Sequence, residues 1–145
     1  MSSRFLISPV FIVGLLWLIA ILHLFGIYLH WYWTYVNFDI VHHFLGGVWL
    51  SAFFFYYFGK RQKLFDVRQS RFATLLFALG VTALAGVIWE FYEFGMDYFF
   101  DLKIMPLRHQ NSLADTIGDL FFDLLGGLIY AILYLTKGFS TRRLE

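Results

Sequence analysis

Residues 113–136 read LADTIGDLFFDLLGGLIYAILYLT. A helix crossing the hydrocarbon core of a bilayer needs about 20 mostly apolar residues, and this stretch is long enough. It nevertheless carries Asp115, Asp119 and Asp123. These step by four, so on a helix they form one slowly drifting stripe on a single face. A charge near the middle of a membrane helix costs at least about 2.5–3.5 kcal/mol, and such residues usually face the bundle interior and mark function. An acid at a helix start is favoured by the positive end of the helix dipole. That accounts for Asp115 but loses force at Asp123, two turns in. The stretch therefore predicts a membrane helix with a polar face turned toward other helices.

Three further stretches qualify by the same length rule, roughly 6–29, 39–58 and 72–96. The composition agrees: 60% of the 145 residues are hydrophobic, 23% aromatic and 14% charged. Soluble domains average about 45–50% apolar and about 25% charged residues, so lipid must be the solvent for much of this surface. The expected fold is an all-α integral membrane bundle of four helices forming one transmembrane domain, residues 1–145. The apolar run after Met1-Ser2-Ser3-Arg4 is too long for the core of a signal peptide, and no small-x-small cleavage site follows it. It reads as a retained first membrane helix. Between the first two helices, His30-Trp31-Tyr32-Trp33-Thr34-Tyr35 has the makeup of an aromatic belt at the lipid–water interface.

Basic residues set the orientation. Arg4, the loop bearing Lys60, Arg61, Lys63, Arg68 and Arg71, and the tail bearing Lys137, Arg142 and Arg143 share one side if the chain crosses four times. By the positive-inside rule that side is cytoplasmic, with both termini inside, in a multi-pass protein of the cell (inner) membrane. The net charge of +1 says nothing about nucleic acid, and with no dense basic patch beyond one loop no nucleic-acid partner is expected. The absence of cysteine excludes disulfides, thiolate ligands and cysteine nucleophiles.

Seven of the ten acidic residues fall in three segments: Asp39; Glu90, Glu93 and Asp97; and Asp115, Asp119 and Asp123. His42 and His43 follow Asp39 by three and four residues, and within each segment the spacing keeps the polar groups on one helix face. With four crossings, all three segments lie at the same, outer level of the membrane. Crowded carboxylates must be protonated, paired with bases or neutralised by a cation. Lys103, Arg108, His109 and two histidines cannot balance seven acids, so a divalent cation is expected. Asp39, His43, Asp115, Asp119 and Asp123 are the expected metal ligands. Oxygen and imidazole donors without sulfur suit Mg, Mn, Zn or Fe. The Glu-x-x-His pair of di-iron carboxylate bundles is absent. His42 is expected to face elsewhere or to support the ligands, and His23, mid-membrane, to be a hydrogen-bonded histidine or a relay. Asn111-Ser112 reads as a helix cap.

Two segments match. Asp39-Ile-Val-His42-His43-Phe44-Leu45-Gly46-Gly47 parallels Asp119-Leu-Phe-Phe-Asp123-Leu-Leu-Gly126-Gly127. Both run outside to inside, as a parallel internal repeat would, and their Gly-Gly pairs would let helices approach closely below the polar site.

The ordered set Asp39-x-x-x-His43-Phe44, Glu90-x-x-Glu93 and Asp115-Thr116-x-x-Asp119-Leu120, followed by Gly126-Gly127, resembles the YjdF-like family of small bacterial inner-membrane proteins. More distantly it resembles VanZ-like proteins. The resemblance covers roughly 38–131 and implies the membrane fold and the location of the site, not a reaction. Glu93 and Asp123 depart from the VanZ-like pattern, which tends to amides there, and His42 is an added histidine, so this site is more acidic.

No Gly-rich phosphate loop, Gly-x-Ser-x-Gly or His-Glu-x-x-His is present. The leading expectation is a metal-dependent enzyme acting on a lipid-linked or envelope substrate. Glu90 or Glu93 would serve as general base toward a water activated by the ion, and Arg108 would meet a substrate phosphate. Two alternatives stand: a divalent-cation or proton-coupled transporter, for which a homo-oligomer would supply the path, and a small membrane subunit whose metal is structural. The topology is testable because the chain has no cysteine of its own. In sealed cells a membrane-impermeant maleimide should label Asn37→Cys and spare Ser70→Cys, and the reverse pattern would invert the assignment.

Overall fold

The computed structural model describes residues 6–35, 37–62, 70–100 and 112–140. Among them the chain is all helical. Helix α1 spans Pro9–Tyr28, α2 Trp31–Thr34 and α3 Phe38–Phe54, which continues as a π-helical segment, Phe55–Arg61; α4 spans Arg71–Phe100 and α5 Leu113–Ser140. Four of these stretches are long and apolar enough to cross a membrane: Pro9–Tyr28, Phe38–Arg61, Arg71–Met96 and Leu113–Thr136.

The boundaries follow local chemistry. Ser8 caps α1 by accepting the Phe11 N–H, and Pro9 sits where its missing N–H costs nothing. The helix therefore starts three residues later than the apolar run. His30 takes a left-handed conformation, φ 58°, and turns the chain from α1 into α2. Ser112 Oγ accepts the Asp115 N–H at 3.2 Å and opens α5. The wider π turn after Phe54, closed by Gln62 N–H donating to the Tyr57 carbonyl, accompanies a ladder of stacked rings from Trp49 to Phe53 to Tyr57. It also seats the fully buried Phe55 ring 4.3 Å from that of Tyr134.

Contacts set the directions. Residues 43 and 44 of α3 meet 123 and 126 of α5, and Phe55 meets Tyr130 and Tyr134, so these two helices run parallel. On α4, Gly86 meets Asp123 and Thr82 meets Gly127, so α4 runs the other way. Helix α1 is antiparallel to α3: the Trp49 indole N–H donates to the Ile12 carbonyl at 3.0 Å, and Gly26 lies against the Phe38 ring. The apolar core, including Ala52, Phe54, Phe55, Ala78, Tyr130 and Ala131, sits toward the end that carries the basic loop. Outward-facing aromatics such as Trp17, Phe72, Phe77 and Phe91 present the apolar surface that lipid would cover.

Close approach of α3 and α5 rests on two glycines. A Cβ on Gly47 would overlap the Asp123 backbone carbonyl, and one on Gly126 would overlap that of Phe44. The matching segments of the two helices thus cross backbone to backbone, as small residues permit in membranes. Gly126→Ala should lower stability in detergent by about 1–3 kcal/mol, the cost of overpacking. Gly80→Ala, whose Cβ meets nothing within 4 Å, should not. Equal thermal shifts in the two variants would contradict this packing.

Candidate functional site

At the end of the bundle opposite the apolar core, three helices present acids to one imidazole. Asp39 lies in the first turn of α3, where the positive end of the helix dipole favours it. His43 lies one turn further along. From α5, Asp119 and Asp123 share a face at i, i+4, and from α4, Glu90 and Glu93 share one at i, i+3. The result is burial: His43, Glu90, Glu93 and Asp123 are each 5% exposed and Asp119 3%.

His43 is the hub. Its Nε2 lies 3.9 Å from Asp39 Oδ1 and 3.8 Å from Asp119 Oδ1, and its Nδ1 lies 3.4 Å from Asp123 Oδ2. Two sets of potential ligand atoms converge, each within 4.8 Å: Asp39, His43 and Asp119 in one; His43, Glu90 and Glu93 in the other. They share the histidine. The Trp89 indole N–H donates to Glu93 Oε1 at 3.0 Å, while Glu93 Oε2 is buried with no hydrogen-bond partner among the described residues. The Asp123 carboxylate lies in a glycine cradle. A Cβ on Gly86 would stand 2.6 Å from its Oδ2, and one on Gly46 3.7 Å from its Oδ1.

Five carboxylates around one imidazole cannot all be ionised out of water without a counter-charge. The donor set, carboxylate oxygen plus imidazole nitrogen with a buried oxygen left over, fits a divalent cation. Of the expected ligands, Asp115 is half-buried, one turn beyond Asp119, and joins neither converging set, and Asp123 also stands outside both, paired with Nδ1 of His43. Arg108, the candidate substrate-phosphate residue, lies outside the described residues with Lys103, His109 and Asn111, and so does the Asp97 side chain.

His42 turns away from this cluster. Its Nδ1 lies 3.4 Å from the Tyr32 hydroxyl, which lies 2.7 Å from His23 Nδ1. Burial, with the Asp39 and Glu93 carboxylates nearby, pushes the Tyr32 phenol above its ordinary range, so it stays protonated. Sequence reasoning placed Tyr32 in an interfacial belt and missed this role. It also missed Trp89 as the partner of Glu93; the i, i+4 spacing of an indole donor and a carboxylate was the available signal.

Against known proteins, the chain is 35% identical over 102 residues to a protein of Thermotoga maritima described as an uncharacterized protein. The match covers 70% of this chain and 49% of that protein, so the chain spans about half the length of the curated relative it matches. No solved structure matches. The family model described as "Predicted membrane protein (DUF2238)" matches residues 2–138. With nearly the whole chain inside that match, this helical bundle belongs to the DUF2238 family of membrane proteins.

Proposed function

We propose that the protein is a metal-dependent enzyme of the inner membrane, of YjdF-like type, whose site faces the outer leaflet and acts on a lipid-linked or envelope substrate. Both termini are then cytoplasmic, as the basic loop and tail require. The observation that carries the reading is the convergence of five carboxylates from three helices on His43, with Glu93 Oε2 buried and without a hydrogen-bond partner among the described residues.

In this reading Asp39, His43, Asp119 and Asp123 hold a divalent ion. The bound ion would supply Lewis-acid polarisation of a phosphoryl or ester oxygen. Glu93, oriented by Trp89, takes a proton from the attacking water, with Glu90 beside it as second carboxylate. Gly86 leaves the space that the Asp123 carboxylate occupies beside Nδ1 of His43. The outward aromatics of α4 near the site, Trp89, Phe91, Tyr92 and Phe94, give an amphiphile an apolar surface beside the acidic cluster.

Transport is the second reading, and a single feature favours it. Ser51 and Thr82 are fully buried below the site, and Ser51 Oγ has no hydrogen-bond partner among the described residues. Thr82 and Thr74, however, donate to carbonyls of their own helix or its start, which leaves little polar lining for a path.

The test is turnover of phosphate- and ester-linked amphiphiles by the purified protein in nanodiscs, with and without added Mg2+, Mn2+ or Zn2+. Metal-dependent product release that falls about 10²–10⁴-fold in Glu93→Gln is expected. A metal-loaded protein that turns over none of the panel, but carries the ion into liposomes, would overturn the enzyme reading in favour of transport.

A further inference from the structure

The His23–Tyr32–His42 group has no part in the reading above. Its members come from α1, α2 and α3, nine and ten residues apart along the chain. The competing account is a polar staple tying α1 to α3, and it leaves a mismatch. His42 Nε2 is buried with no hydrogen-bond partner among the described residues. Both neighbours of His42, the Tyr32 hydroxyl and the Phe38 carbonyl, lie 3.4 Å from its Nδ1 instead. Whichever tautomer His42 takes, a staple leaves Nε2 unsatisfied.

Metal ligation removes the mismatch. A ligating histidine commonly donates its other ring N–H to a backbone carbonyl or another fixed acceptor, which sets the tautomer. The Phe38 carbonyl serves Nδ1 of His42 in that way, and the Tyr32 oxygen serves Nδ1 of His23 at 2.7 Å. Both rings then carry their lone pair on Nε2. A phenol oxygen can accept both N–H groups while its own proton points elsewhere, and Tyr32 has the Asp39 and Glu93 carboxylates nearby. Ring spacing agrees. With metal–nitrogen bonds of about 2.0–2.1 Å, two imidazoles on one tetrahedral ion have centroids roughly 5–6 Å apart. Those of His23 and His42 are 5.8 Å apart, edge to face.

We propose that His23 and His42 form a second metal site, separate from the carboxylate cluster, that takes a borderline first-row ion such as Zn2+ or Cu2+ through their Nε2 atoms. Imidazole donors suit these ions and not Mg2+ or Ca2+. Two protein ligands leave the remaining positions to water, so the site is open and the ion exchangeable. His42 adjoins His43 in the chain.

The test is Cu2+ titration of the full chain in detergent, read by electron paramagnetic resonance, with Zn2+ as competitor. In an Asp119→Ala/Asp123→Ala background, a Cu2+ signal with coupling from two imidazole nitrogens should remain and compete with Zn2+, not Mg2+. Adding His23→Ala should abolish it, and Tyr32→Phe should weaken binding about 10–100-fold. Where that background does not fold, His23→Ala in the otherwise native chain should bind one Cu2+ fewer; His23 is exposed, so its loss leaves no core cavity. Unchanged Cu2+ binding in His23→Ala, or no Cu2+ bound in a folded background variant, overturns the proposal. Full retention of ion by the background variant would instead count against the carboxylate site, so the two failures are distinguishable.

Discussion

The structure depends on keeping carboxylates out of water. Asp119, Asp123, Glu90 and Glu93 are buried in a bundle whose outer surface is hydrocarbon-like, and one imidazole, His43, stands among them. A pair of buried charges breaks even only with close geometry and further hydrogen bonds. Here the ratio of acids to base is too high for pairing alone to suffice. Helix order, helix direction and the glycine positions all serve to bring those side chains to one point.

The closest helix pair shows how packing and site are coupled. The α3–α5 crossing is tight because Gly47 and Gly126 let each backbone lie on the other. That crossing falls immediately below His43 and Asp123, so the geometry of the site is set by backbone contact, not by flexible side chains. Gly86 extends the arrangement to α4 by leaving space for the Asp123 carboxylate. Helix α1 stands apart in this respect: it faces outward along most of its length and is tied to α3 near its ends, through Trp49 at one and Gly26 at the other.

Much of this was legible from residue spacing. Four apolar stretches predicted four membrane helices, and acids at three- and four-residue steps predicted inward faces, because both patterns are local and obey helix geometry. The Asp-x-x-x-ligand-x-x-Gly-Gly match between the second and fourth apolar stretches foreshadowed two parallel helices crossing at their glycines. Details that depend on which helix meets which were not legible. That His42 points away from His43 was open to reading, because neighbouring residues on a helix point about 100° apart, but its partners Tyr32 and His23 follow from α1 packing on α3. Tyr32 is one aromatic among several between His30 and Tyr35, and only the fold singles it out. The π-helical turn at Phe55–Arg61 has no sequence signature of its own and answers to tertiary stacking against Tyr134.

The central claim is that the acidic cluster is neutralised by a bound divalent ion. The most direct measurement is elemental mass spectrometry of the detergent-purified chain beside an Asp119→Ala/Asp123→Ala variant shown to be folded. The account predicts at least one divalent ion per native chain that the variant loses. A native chain free of metal after soaking in each of Mg2+, Mn2+, Fe2+ and Zn2+ would contradict it, and the carboxylates would then have to be neutralised by protons.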